Sequence, residues 1–140
     1  MNNKKNIIYT GGTFDLFHAG HVNFLKKISI FGSVVVSLNT DEFVFDYKGK
    51  LPICSYLERK TVLENSVYVD KVVVNIGGID SKPAIEKVKP NIIAIGSDWA
   101  EKDYYKQMGF SQSWLDKRNI ILMYVPYTKG VSTTEIKGRI

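Results

Sequence analysis

The sequence predicts an α/β fold, a five-stranded parallel sheet with helices on both faces. Three observations predict it. Short runs that are almost wholly apolar and rich in β-branched residues recur along the chain, as strands covered on both faces require. Between them lie stretches whose apolar positions follow helical spacing. The 140 residues, 44% hydrophobic and 24% charged, suit one compact domain, residues 1–140, that can bury roughly two-thirds of its unfolded surface without disulfides.

Asn6-Ile-Ile-Tyr-Thr10 reads as a buried first strand, and Gly11-Gly12 as the tight turn that closes it. From Ala19 to Phe31 the residues Val22, Phe24, Leu25, Ile28 and Phe31 approximate a helical stripe, with Gly32 as its C-terminal stop. Ser33-Val-Val-Val-Ser-Leu38 is the second strand. Ser55 to Ser66 reads as an amphipathic helix, with Ser55 as N-cap and Glu58 at the capping-box spacing. Asp70 to Ile76 is the third strand, Ser81 to Lys89 a short helix that tolerates Pro83 in its first turn, and Asn91 to Ile95 the fourth strand. A polar and aromatic helical stretch, Glu101 to Lys117, precedes the fifth strand, Ile120 to Val125. Ser132-Thr-Thr-Glu135 opens a last helix. Strands that alternate with helices in this way build a parallel sheet.

Net charge is +5, from 19 basic and 14 acidic residues. That sign favours an anionic partner. Sixteen of the basic residues are Lys and three are Arg, whereas nucleic-acid readers lean on Arg forks, so a small phosphorylated substrate accounts for the charge better than DNA or RNA does. The single Cys54 has no partner for a disulfide within the chain, and no run approaches the roughly 18 apolar residues of a membrane helix. The expectation is a soluble cytoplasmic protein with no nucleic-acid and no membrane partner.

In such sheets ligands sit beyond the carboxyl ends of the strands. Those segments hold both histidines and most glycines. Gly11-Gly-Thr-Phe-Asp-Leu-Phe-His18-Ala-Gly-His21 places two imidazoles three residues apart at the entry of a helix, where the exposed helix N–H groups also face. This arrangement suits a polyphosphate, whose developing charge oriented amides and imidazole donors stabilise. Gly20 lets a ligand approach the backbone. Neither a Walker loop nor a dinucleotide fingerprint is present.

Thr13-Phe-Asp-Leu-Phe-His-Ala-Gly-His21 resembles the HxGH signature of the nucleotidylyltransferase superfamily, and Val131-Ser-Thr-Thr-Glu-Ile136 resembles its late (I/V)-S-(S/T)-T-x-I element. Thr40-Asp-Glu-Phe43, Ser55-Tyr-x-x-Arg-Lys60, Tyr68-Val-Asp70 and Gly96-x-Asp-Trp99 are similar, in the same order, to the glycerol-3-phosphate cytidylyltransferase branch. The resemblance implies a Rossmann-like domain, usually a homodimer, that joins CTP to a small phosphorylated polyol and releases pyrophosphate, with Mg²⁺ bound to the triphosphate. It implies that His18 and His21 contact the triphosphate, with Thr13 and Asp15 supporting the nucleotide pocket. Lys48 and Lys50 match lysines that reach the phosphates. Arg59, Ser132, Thr133 and Thr134 match further nucleotide-site positions. Phe14, Gly20, Gly96, Asp98 and Trp99 fall in the matched segments, Gly12 and Thr128 stand just before two of them, and all seven are expected on the same pocket.

The chemistry is consistent with the residues themselves. A phosphate monoester is already an anion near neutral pH, so its attack on the α-phosphorus needs alignment and charge compensation rather than a serine or cysteine nucleophile. Zinc would need ligands beyond two histidines and one distant cysteine. Tyr104, Tyr105, Phe110 and Trp114 read as core or interface rather than as a base-stacking platform. Tyr127 and Val67 stand where the resemblance expects arginines, and the stretch between Trp99 and Ile120 is longer than it expects. These departures bear on the acceptor. An adenylyltransferase acting on a sugar phosphate or FMN, and a non-catalytic nucleotide-binding module, remain as alternatives.

Overall fold

The computed structural model describes residues 6–96, 108–126 and 132–140. In chain order these form β1 (Asn6–Gly12), α1 (Ala19–Ser29), β2 (Gly32–Leu38), α2 (Asp41–Lys48), α3 (Tyr56–Glu64) and β3 (Lys71–Val74). There follow α4 (Lys82–Val88), β4 (Ile92–Gly96), α5 (Gln112–Lys117), β5 (Ile121–Val125) and α6 (Thr133–Lys137). The strands make one five-stranded sheet in the order β3-β2-β1-β4-β5, and every pairing is parallel. The fold is the Rossmann-like α/β class that the sequence predicts. The order reverses between β1 and β4, which opens a crevice beyond their carboxyl ends.

Both faces of the sheet are covered. Ile8, Val34, Val36 and Ala94 pack on one face with Leu25 and Ile28 of α1 and Leu63 of α3. Tyr9, Ile93 and Ile95 point the other way, onto Ala84 and Ile85 of α4 and Leu115 of α5. Alternate side chains of one strand thus enter two different cores, which is why the strands read as continuous apolar runs. The expected core role of Phe110 and Trp114 holds: Phe110 is buried, and their rings stack at 5.8 Å.

Several elements differ from the sequence expectation. Residues 41–48, to which the sequence analysis assigns no element, form α2. Thr40 caps it by accepting from Phe43 N–H at 3.1 Å, Asp41 and Glu42 fill its first turn, and Gly49 closes it in the left-handed region at φ 76°. Gly32 is no helix stop: α1 ends at Ser29, and Gly32 opens β2 where any Cβ would run into the Asn6 carbonyl. The stretch expected as one helix to Lys117 is interrupted, because Gly109 takes φ 81° and Ser111 caps a new helix through Trp114 N–H. Ser55 and Glu58 form the expected capping box, with bonds of 3.2 and 2.9 Å. Ser132 caps α6 as expected, yet Glu135 turns to Arg139 at 2.8 Å instead of completing a box. Among the described residues no helix is long and apolar enough to cross a membrane. Asp98, Trp99 and Thr128, with Tyr104, Tyr105 and Tyr127, lie outside the described residues.

The two glycines separate steric from conformational demand. Gly32→Ala inserts a methyl against backbone and should lower stability by about 2 kcal/mol or more. Gly49→Ala has open space around it and should lose only about 1 kcal/mol, through its left-handed φ. Thermal melts of both variants check the order; equal losses would contradict the close β1–β2 approach.

Candidate active site

A cleft of about 400 Å³ lies at the carboxyl edge of the sheet. Gly12, Thr13, Gly20 and His21 line it from the β1–α1 connection, Gly96 from β4, and Thr133 from α6. Phe14 and Asp15 are on its wall too. The cleft therefore sits where the topology predicts a ligand, and it gathers residues from both ends of the chain.

The two histidines cap α1. His18 is the N-cap, and its Nδ1 accepts from Gly20 N–H at 3.0 Å, while His21 Nδ1 accepts from His18 N–H at 3.2 Å. A ring nitrogen that accepts carries no proton, so each neutral imidazole holds its hydrogen on Nε2 and presents a donor there. The rings stack at 3.8 Å, and Phe14 and Phe17 flank His21 at 5.1 and 5.5 Å. Burial, followed by the neighbouring His18, pulls the His21 pKa down to about 4, against a smaller upward pull from Asp15. Burial also lowers His18, which Glu135 partly offsets. Both rings are neutral donors at pH 7. His21 forms cleft wall, whereas His18, 9% exposed, stacks behind it.

Asp15 and Arg59 hold the loops in place. Asp15 sits between Phe14 at φ 51° and Leu16 at φ 50°, a left-handed backbone that costs each of these residues roughly 1–2 kcal/mol. Its carboxylate accepts from Ile53 and Cys54 N–H at 2.8 Å each and from Leu16 N–H at 3.1 Å, and its carbonyl accepts from Thr133 Oγ1 at 3.0 Å. Arg59 is only 2% exposed. Its Nε donates to Cys54 O at 3.0 Å, its Nη1 to Thr13 O and Asn39 O at 2.8 and 2.9 Å, and its Nη2 meets Asp41 Oδ1 at 2.7 Å. Arg59, expected at the nucleotide site, is not among the residues that line the cleft, and four of its N–H donors are engaged by Thr13, Asn39, Asp41 and Cys54. Asp15, although on the wall, likewise spends its carboxylate on backbone.

Lys48, the last residue of α2, reaches the cleft, while Lys50 beyond the Gly49 turn is exposed and off its wall. Of the late element Thr133 lines the cleft, whereas Ser132 caps α6 and Thr134 is exposed. Lys137 was missed by sequence reasoning; one helical turn beyond Thr133, it brings a second cation to the wall. Asn39 and Asn75, also missed, line the cleft as the first residues past β2 and β3. Strand-end position was the available signal for both. Val67 is 90% exposed and stands off the wall.

Two outcomes follow from this geometry. Arg59→Met should lower stability by about 3 kcal/mol, because three carbonyls and the Asp41 carboxylate lose a buried partner, seen as a melting-point drop of roughly 10 °C. Arg59→Lys should rescue little, since one ammonium cannot span four acceptors. For His21, a folded-state pKa depressed to about 4 means that its contribution is complete above about pH 6.5 and is lost as pH falls toward 4, with about 2 kcal/mol gone by pH 5. Melting curves of wild type and His21→Asn between pH 7 and 5 check this; an equally steep fall in both would refute it.

A cytidylyltransferase-like family model matches residues 9–139. The chain is 37% identical over 135 residues to the glycerol-3-phosphate cytidylyltransferase of Bacillus subtilis (strain 168), covering 95% of each protein. It is 40% identical over 100 residues to an FAD synthase of Thermococcus sibiricus, covering 70% of this chain and 68% of that one. Among solved structures, a lipopolysaccharide core biosynthesis protein from Thermoplasma volcanium is 26% identical with a TM-score of 0.71, covering 91% of this chain and all of that one. A match of this extent, over a cleft whose histidine donors cap the helix after β1, settles the family: the chain belongs to the cytidylyltransferase-like family and is a nucleotidyltransferase enzyme.

Proposed function

We propose that the protein transfers the cytidylyl group of CTP to a small polyol phosphate, glycerol 3-phosphate or a close analogue. The observation that carries this reading is the end-to-end likeness to glycerol-3-phosphate cytidylyltransferases, 95% of both chains in the Bacillus subtilis case. The acceptor's phosphate oxygen attacks the α-phosphorus in line, the bond from that phosphorus to the bridging oxygen breaks, and pyrophosphate leaves. The attacking oxygen is already an anion, so the protein's work is to align two polyanions and offset their charge. The Nε2–H donor of His21, with His18 stacked on its ring, and the ammonium groups of Lys48 and Lys137 supply that compensation.

Mg²⁺ enters with the triphosphate as part of the substrate. The donor set suits that route: among the described residues no three His, Cys, Asp or Glu side chains converge on a metal position, and the Asp15 carboxylate is taken by three amides. Phosphate oxygens and water provide the hard oxygen ligands this ion prefers. A second reading, adenylyl transfer to flavin mononucleotide, is favoured by the 40% identity to the FAD synthase, over a shorter span.

Phosphorus NMR of the protein with CTP or ATP and a panel of polyol, sugar and flavin phosphates tests the proposal. A CDP-alcohol and pyrophosphate appear with CTP; product only with ATP overturns the base assignment. His21→Ala should lower kcat by about a hundredfold or more, the scale of one preorganised donor. Lys137→Ala should raise the nucleotide KM, and the gap from wild type should shrink as ionic strength rises. A salt-independent gap would remove Lys137 from phosphate binding.

A further inference from the structure

Three residues stand side by side at the carboxyl edge of the sheet. Thr13, Asn39 and Asn75 each directly follow the end of β1, β2 and β3. Parallel register aligns them, because Gly12 pairs with Leu38 and Leu38 with Val74. The ladder runs one step further: Asn39 N–H donates to Gly12 O at 2.9 Å and Asn75 N–H to Leu38 O at 3.0 Å. All three residues line the cleft.

Their side chains form a relay with one direction. Asn75 Nδ2 donates to Gly78 O at 3.0 Å and to Asn39 Oδ1 at 2.9 Å, and Asn39 Nδ2 donates to Thr13 Oγ1 at 3.1 Å. Neither amide can turn over. A flipped Asn75 would set its oxygen against two acceptors, and a flipped Asn39 would set its Nδ2 against that of Asn75. The Gly78 carbonyl, which only accepts, therefore fixes the polarity of the whole series. A threonine hydroxyl has one proton and two lone pairs; with a lone pair occupied by Asn39, its proton points away from Asn39.

We propose that Asn39 and Asn75 are positioning residues for nucleotidyl transfer, setting the Thr13 hydroxyl so that its proton points into the cleft as a donor to a phosphoryl oxygen. The inference rests on the reading of the cleft as a nucleotidyl-transfer site. A free hydroxyl samples several orientations and must reorient as charge develops, whereas a preset donor does not. Backbone pairing past the strand ends already joins β1, β2 and β3 without these side chains. Two linked amides aimed at one wall hydroxyl serve orientation, a task that apolar side chains at 39 and 75 could not perform.

The test is a double-mutant cycle with turnover followed by phosphorus NMR and a thermal melt for every variant. Asn39→Ala should lower kcat about tenfold while changing the nucleotide KM less than about threefold, part of the loss expected for removing a whole donor. Thr13→Val should lower kcat at least as much. In the Thr13→Val background, Asn39→Ala should cost nothing further, because it acts through the hydroxyl. Asn39→Asp keeps the shape but only accepts, so it draws the Thr13 proton toward itself; it should depress kcat with Thr13 present and much less in the Thr13→Val background. Should Asn39→Ala fail to fold, Asn75→Ala carries the same cycle with a smaller effect. Equal losses with and without the Thr13 hydroxyl, or a lower melting temperature with unchanged kcat, overturn the relay. A wild type that gives no nucleotidyl product with any triphosphate overturns the reading of the cleft and the relay with it, whereas an active wild type with additive losses overturns the relay alone.

Discussion

The first turn of α1 imposes the constraint on which the site depends. Its leading amides need acceptors, and this chain provides them with imidazole nitrogens rather than the serine, threonine or aspartate that usually caps a helix. Each Nδ1 that accepts an amide proton commits its ring to the tautomer with hydrogen on Nε2. Helix capping and site chemistry are thus one interaction. Burial of His21 against Phe14 and Phe17, with His18 stacked on it, keeps that ring uncharged across the physiological range. The cleft therefore carries a neutral directional donor in His21 beside lysine charge in Lys48 and Lys137.

Around that turn the fold acts as a frame. The reversal of strand order beside β1 opens the crevice, and parallel register brings the residues past β1, β2 and β3 level with one another. The loops that carry the site hold each other through two buried charges. Asp15 gathers the amides of Ile53 and Cys54, and Arg59 gathers the carbonyls of Thr13, Asn39 and Cys54. Both are partnered by backbone or opposite charge, the condition under which a buried ion is tolerated. The left-handed backbone at Phe14 and Leu16 is sustained by the same contacts.

Much of this was legible in the sequence, for local reasons. The strands are apolar runs because both faces are covered, and the Ser55–Glu58 box is a short-range pattern that needs no tertiary context. The histidine pair was found because it lies at the one strand end where such sheets place ligands. The α2 helix was missed although Thr40, the acidic first turn and Gly49 all mark it; its eight residues are too few for a clear apolar stripe, with only Val44 fully buried. The jobs of Asp15 and Arg59 were hidden because a buried ion partnered by backbone and one exposed in a pocket share one letter in the sequence. Asn39 and Asn75 are 36 residues apart, and only strand order and register make them neighbours.

Fold, cleft and family belong together: a Rossmann-like sheet, a crevice at its switch point, and a cytidylyltransferase-like chain whose donors converge there. The tautomer of the two rings is the claim on which the chemistry turns. Nitrogen-15 NMR of the imidazoles at pH 7 measures it directly. The account predicts that His18 and His21 both show a protonated Nε2 and a bare, hydrogen-bonded Nδ1. Charged rings, or protons found on Nδ1, would contradict it.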